Sequence, residues 1–126
     1  MDSEKIQNAL VGKSITRWHL DPDRTRLTLW WGTTGDERVH LRVYGDCCSH
    51  SWIESIDAPE VLEGEILGVE EIPMPDLGRQ SSLHHPEAVD CVKYYGLKIT
   101  TRRGRCVIDY RNDSNGYYGG WMEVSV

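Results

Sequence analysis

The sequence predicts a mainly β fold of the α+β type: an antiparallel sheet of six or seven strands, curled into a barrel-like or sandwich form, with one or two short helices against it. Three observations predict it. Apolar residues recur with a period of two in segment after segment. Turn signals, among them Asp21-Pro22-Asp23, Arg102-Arg103-Gly104 and Asn115-Gly116, stand between those segments. A chain of 126 residues, 39% hydrophobic and 27% charged, suits a soluble protein with one core, so residues 1–126 are read as a single domain.

Each element has a local reason. The first dozen residues allow a short helix, with Ser3 as N-cap, Ile6, Ala9 and Leu10 on one side and Gly12 ending it. Thr16, Trp18 and Leu20 then alternate with Ile15, Arg17 and His19, and after the Asp21-Pro22-Asp23 turn Leu27, Leu29 and Trp31 alternate with Thr28 and Trp30, which reads as a hairpin. Beyond Thr33-Thr34-Gly35-Asp36, Val39, Leu41 and Val43 oppose Arg38, His40 and Arg42 in the clearest strand of all. Alternation stops between Gly45 and Gly64. Ser51 followed by Glu54 is a capping-box pattern, Trp52, Ile53 and Ile56 give an apolar side, and Pro59 limits a short helix at about Asp57. A strand resumes around Glu65 to Ile72, and a proline-rich loop, Pro73 to Pro86, carries Ser81-Ser82 and His84-His85. The last third is again β-like: Tyr95, Leu97 and Ile99, then Cys106, Ile108 and Tyr110, then Met122, Val124 and Val126.

The formal net charge of -6 argues against a general nucleic-acid binder, since such proteins neutralise phosphates with Lys and Arg. No direct nucleic-acid partner is expected. Between Val43 and Gly78 there is neither Lys nor Arg, and Glu60, Glu63, Glu70 and Glu71 are among the acids concentrated there. A solvated face is the ordinary explanation; a surface for a basic partner protein is the functional one. No window reaches the ~18 apolar residues of a membrane span. The start, Met-Asp-Ser-Glu-Lys, has no signal-peptide pattern, so no membrane association and a cytoplasmic location are expected.

Chemistry-bearing groups are sparse. Gly12-Lys13-Ser14 resembles the end of a P-loop, but Gln7 stands where that motif needs its first glycine, and no cofactor is implied. Asp46-Cys47-Cys48-Ser49-His50 could place a thiol at a helix start with His50 as base, although nothing marks an oxyanion hole and two structural cysteines are favoured. Cys47, Cys48, Cys91, Cys106 and the histidines lack zinc-site spacing, so no metal is expected. Cys106 shares a strand face with Ile108 and Tyr110 and reads as a core thiol. The segment Arg111 to Trp121 is different. Asn115-Gly116 would turn Tyr117, Tyr118 and Trp121 beside Arg111, giving aromatic faces for a planar base, with Arg103, Arg105 or Arg111 for phosphate; the competing view is a hairpin whose glycines relieve crowding.

Gly45-Asp46-Cys47-Cys48-Ser49, continuing to Ser51-Trp52, Glu54 and Ile56, together with Arg111-Asn112, Ser114-Asn115-Gly116-Tyr117-Tyr118-Gly119-Gly120-Trp121, resembles an uncharacterised small-protein family of tailed phages and prophages. The resemblance spans Gly12 to Trp121; Cys91 stands where an apolar residue is expected. The resemblance brings no activity or catalytic residue with it. It implies an accessory protein in an infected bacterial cytoplasm. The expected function is therefore non-enzymatic binding: a counter-defence or host-takeover inhibitor that occupies a host protein or sequesters a nucleotide-like ligand, with homo-oligomerisation open. A thiol-dependent enzyme using Cys47 or Cys48, or a minor virion component, is the alternative.

Overall fold

The structure, a computed structural model, describes residues 3–32, 34, 37–46, 49–74, 91–114 and 119–126; for Cys91 it describes the backbone. Helix α1 (Ser3–Leu10) is followed by strands β1 (Ile15–Leu20), β2 (Arg26–Trp31), β3 (Glu37–Gly45), β4 (His50–Asp57), a 3-10 turn (Pro59–Leu62), β5 (Ile66–Ile72), β6 (Cys91–Thr101), β7 (Gly104–Ser114) and β8 (Gly120–Ser125). The strands form two open antiparallel sheets, β1-β2-β3-β8 and β4-β7-β6-β5, rather than one curled sheet.

Alternation explains how both sheets share one core. Leu27, Leu29, Val39, Leu41, Val43 and Met122 face inward from the first sheet, and Ile53, Ile66, Val69, Leu97, Ile99, Cys106, Ile108 and Tyr110 from the second. Ile6 and Leu10, one helical turn apart, bring α1 onto the same core against β5 and β8. Gly12, at φ +88°, ends that helix in a conformation that side chains resist. Its N–H donates to the carbonyl of Ile66 at 2.9 Å, and a Ser14–Glu65 bridge joins the start of β1 to the second sheet.

The expected helix after Ser51 is a strand. His50–Asp57 pairs with β7 from His50–Asp113 to Asp57–Val107. The Ser51 hydroxyl donates not to a helix N-terminus but to the carbonyl of Tyr44 at 2.8 Å, and Glu54 accepts the indole N–H of Trp52 at 2.9 Å. Cross-strand partners outweigh a local capping signal. Pro59 stands instead at the start of the 3-10 turn. Gain of this strand accounts for part of the difference between the expected six or seven and the eight observed. The Asn115-Gly116 turn, Tyr117, Tyr118, Cys47, Cys48 and the segment from Pro75 through His84-His85 lie outside the described residues.

One contact ties the sheets together at the β1–β2 turn. The carboxylate of Asp21 accepts the backbone N–H groups of Thr25 and Arg26 at 2.8 and 2.9 Å, which closes the turn and holds the acid below its ordinary pKa despite burial. Within that turn Arg24 is left-handed, φ 60°. Its guanidinium donates to the carbonyls of Ile53 and Glu54 at 2.7 and 2.8 Å, while its own carbonyl accepts the N–H of Ile53 at 2.6 Å. Those residues are where the β4–β7 register slips between Ile53 and Ser55. Arg24→Gly keeps the backbone geometry and loses two charge-assisted bonds, for a loss of about 1–3 kcal/mol. Arg24→Ala loses the same bonds and keeps the left-handed strain that glycine relieves, so it should fall up to about 1 kcal/mol lower than Arg24→Gly. Urea denaturation of both variants checks this; an alanine variant as stable as the wild type would refute the clamp.

Candidate functional site

Arg111 is not the exposed guanidinium that the sequence suggests. It sits on the outer face of the second sheet at 3% exposure, bonded to both carboxylate oxygens of Asp109 at 3.2 and 3.0 Å, with Glu54 at 3.8 Å. Tyr94, its partner on β6, covers it at 4.9 Å from guanidinium to ring. Burial alone would lower the pKa of Arg111, but the bonds and charge of Asp109, with Glu54 and Tyr94, hold it above the ordinary value. Its valences are committed internally, and a ligand phosphate would compete with two buried carboxylates.

Trp121 lies on the outer face of the other sheet, so the two residues expected to share a pocket stand on different faces of the molecule. Between them the two signature segments meet as scaffold. The amide of Asn112 donates to Ser51 Oγ at 2.9 Å and Ser49 Oγ at 3.1 Å, and Gly120 N–H donates to the hydroxyl of Tyr95 at 3.0 Å. A Cβ on Gly45 would run into Ser49 Oγ and the Asn112 amide, and one on Gly120 would stand 3.0 Å from the Tyr44 carbonyl. Glycine here permits the first sheet to approach the second.

The other expected residues are dispersed. Arg103 and Arg105 are exposed at the β6–β7 turn, where Arg103 donates to the Glu63 carbonyl at 3.1 Å. Glu60 lies within the 3-10 turn and Glu63 just after it, Glu70 pairs with Lys98, Glu71 lies on the opposite side of β5, and Glu65 is taken by Arg102. The acidic stretch is thus partly neutralised by the chain's own bases. Buried Cys106 has its thiol pushed up to about 12, by burial and then by the charges of Asp57 and Glu60, which leaves it protonated and unreactive near neutrality. Among the described residues no group of three His, Cys, Asp or Glu side chains could hold a metal ion, and no helix is long and apolar enough to cross a membrane.

A different surface emerges from the register of the first sheet. Residues facing away from the core line up in rows across the strands: Arg17, Trp30 and Arg38; then His19, Thr28, His40 and Ser125; then Arg26, Arg42 and Glu123; then Tyr44 and Trp121. Arg17, Arg26, Arg38 and Arg42 are exposed. Among the described residues none of these four guanidinium groups has an ion-pair partner. Arg17 lies 4.2 Å above the Trp30 ring, Arg42 lies 5.6 Å from that of Tyr44, and Tyr44 stacks with Trp121 at 5.9 Å and 19°. Trp121 is oriented by donation of its indole N–H to Glu123 at 2.8 Å. Beside Arg38, the hollow formed with Lys13, Trp31, Glu37 and Val126 measures about 660 Å³ and opens to solvent.

Residues 8–124 match a family described as Domain of unknown function (DUF7448). The chain belongs to that family. No curated protein and no solved structure matches. Family membership brings no assigned chemistry to these residues, so the DUF7448 domain has to be interpreted from its own surfaces. Sequence reasoning missed Arg17, Arg26, Arg38, Arg42 and Trp30 as a group. The available signal was that the polar phase of three consecutive strands holds bases and hardly any acid.

Two predictions follow from this electrostatics. Arg111→Ala leaves Asp109 and Glu54 buried without their counter-ion and should destabilise by about 3–5 kcal/mol in chemical denaturation; a loss under about 1 kcal/mol would mean the cluster is solvated. His40, whose Nδ1 is 2.8 Å from the Thr28 hydroxyl, is held below its ordinary 6.5 by burial and by the charges of Arg26 and Arg38. The unfolded chain therefore binds the extra proton more readily. The stabilising contribution is complete above about pH 6.5 and is lost as pH falls through that value toward the folded pKa. An imidazole NMR titration should show a midpoint below 6.5 that rises in Arg38→Gln; a midpoint at or above 6.5 would contradict the proposed field.

Proposed function

We propose that this DUF7448 protein is a non-catalytic binding protein of a phage or prophage, working in the cytoplasm of an infected bacterium, and that its working surface is the outer face of the first sheet. That face takes an anionic, phosphate-bearing ligand. The observation that carries the reading is the set of exposed guanidinium groups, Arg17, Arg26, Arg38 and Arg42, interleaved with Trp30, Tyr44 and Trp121; among the described residues none of the four makes an ion pair, and Arg26 feels the carboxylate of Asp21. Like charges held side by side on a sheet cost stability unless a ligand relieves them. Guanidinium forks match phosphate geometry, and aromatic rings beside them supply contact area with little rotamer entropy to lose.

The chemistry expected of Arg111, Tyr117 and Tyr118 is thereby assigned to another place. A phosphate could not reach Arg111 without displacing Asp109, whereas Arg38 and Arg42 point outward from β3 with no such partner among the described residues. The phage setting rests on the resemblance of the two signature segments. Occupation of a host protein through Glu60, Glu63, Glu70 and Glu71 loses ground because Glu70 is paired with Lys98 and neighbouring Glu65 with Arg102. A thiol-dependent enzyme built on Cys47 or Cys48, and a virion component, draw on no feature of the described residues.

Inorganic polyphosphate is a suitable probe because it presents charge and nothing else. It should bind at low salt, weaken as salt rises, and lose roughly one unit of log-log salt slope for each arginine contact removed, as in Arg38→Gln and Arg42→Gln. Absence of binding at low salt, or binding indifferent to the double variant, would overturn the assignment of this face.

A further inference from the structure

We infer that the natural occupant of this face is single-stranded nucleic acid, laid along β3 with its bases on Trp30 and on the Tyr44–Trp121 pair and its phosphates on Arg38 and Arg42. The inference rests on the reading of the face as a phosphate-binding surface and adds what is attached to the phosphates.

Shape is the first argument. A site for a single nucleotide is concave and buries most of its ligand. Here the polar phase of β1, β2, β3 and β8 makes an open plane, and the hollow at its end, lined by Lys13, Trp31, Glu37, Arg38 and Val126, is open as well. From the row of Arg38 to the row of Tyr44 is six residues of strand, about 20 Å at ~3.3 Å per residue, which is room for roughly four nucleotides. Width excludes a duplex groove. Four strands ~4.8 Å apart span about 14 Å before side chains are added, more than the ~12 Å of a major groove.

Ring placement is the second. An acidic peptide would satisfy the arginines and leave Trp30, Tyr44 and Trp121 without a role, while a base stacks on an indole, a phenol or the plane of an arginine already lying over one. Arg17 over Trp30 and Arg42 beside Tyr44 present such composite surfaces at the two ends of the plane, with Arg38 next to Trp30 across the strand pair. Phosphates along β3 would meet Arg38 and Arg42, four residues apart on one face, with His40 between them.

Net charge is the objection, and distance answers it. Glu70 and Glu71 belong to β5 of the second sheet, across the core from this face, while Glu60 and Glu63 lie in and just after the 3-10 turn at the β1 edge, two strands away from β3. Packed sheets lie ~10 Å apart, and the Debye length at physiological salt is ~8 Å, so the acids are largely screened from a strand on the far side. Glu123 is the carboxylate within the plane, and it is engaged with the Trp121 indole.

The test compares oligothymidylate with inorganic polyphosphate of equal charge and with a DNA duplex of equal length, on the wild type, Trp30→Leu and Tyr44→Leu. Leucine keeps the apolar cover of the sheet, and thermal unfolding confirms that each variant folds. The expected result is oligothymidylate binding at least tenfold tighter than polyphosphate, with quenching of tryptophan fluorescence, a salt slope of about 0.7 per phosphate contact, and roughly fivefold or greater loss in each variant. Equal binding of oligothymidylate and polyphosphate, untouched by the leucine variants, overturns the inference and leaves the phosphate-binding reading standing. Duplex binding as tight as single-strand binding also overturns it. If neither polyanion binds at low salt, the phosphate-binding reading falls and takes the inference with it.

Discussion

Arg24 is the constraint on which the arrangement of the two sheets turns. Its left-handed backbone and its guanidinium hold the β1–β2 turn of one sheet against the Ile53–Glu54 peptide units of the other. The register slip in β4 at that point puts an additional residue into the strand, so the carboxylate of Glu54 can meet Trp52 Nε1 and Arg111 on the outer face while Ile53 stays in the core. Strain of about 1–2 kcal/mol at a non-glycine left-handed residue persists only where surrounding contacts require it. A second attachment, two residues nearer the start of β4, is made by Ser51, Asn112, Gly45 and Gly120. With the Ser14–Glu65 bridge at the start of β1, these attachments hold the two sheets over one apolar core.

Charge is sorted by face rather than by sequence neighbourhood. The outer side of the second sheet satisfies its ions internally, Arg111 with Asp109 and Glu54, and Lys98 with Glu70. The outer side of the first sheet holds Arg17, Arg26, Arg38 and Arg42 without an ion pair among the described residues. A chain with net charge -6 thereby carries a cationic plane. Screening makes the local arrangement, and not the total, decide which ligands that plane can attract.

Much of the fold was legible in the sequence because period-two alternation reports directly which residues face a core. Val39, Leu41 and Val43 against Arg38, His40 and Arg42, the Asp21-Pro22-Asp23 turn, the N-terminal helix and the buried position of Cys106 all follow from local pattern. Ser51 and Glu54 misled for a physical reason. The capping pattern is local, whereas Asn112 and Arg111, among the partners that win, come from β7 far along the chain. Arg111 looked available because its two carboxylate partners could be recognised only once β4 was placed beside β7. The cationic plane was legible only in part: the polar phase of three consecutive strands holds bases, but only the cross-strand register makes Arg17, Trp30, Arg38 and Arg42 neighbours.

The two outer faces therefore have opposite thermodynamic characters. Around Arg111, ions already desolvated and paired gain nothing from a new partner and lose heavily when one member is removed, so that face contributes to a unique fold. On the first sheet, Arg26 and Arg42 stand directly opposite each other and repel in the free protein, and burial, then the charges of Arg26 and Arg38, hold the pKa of His40 down. The repulsion is a stability cost that the shared core must offset in the absence of ligand. Relief of that repulsion on meeting an anion is free energy available only to the bound state, which is the condition for linkage between binding and stability.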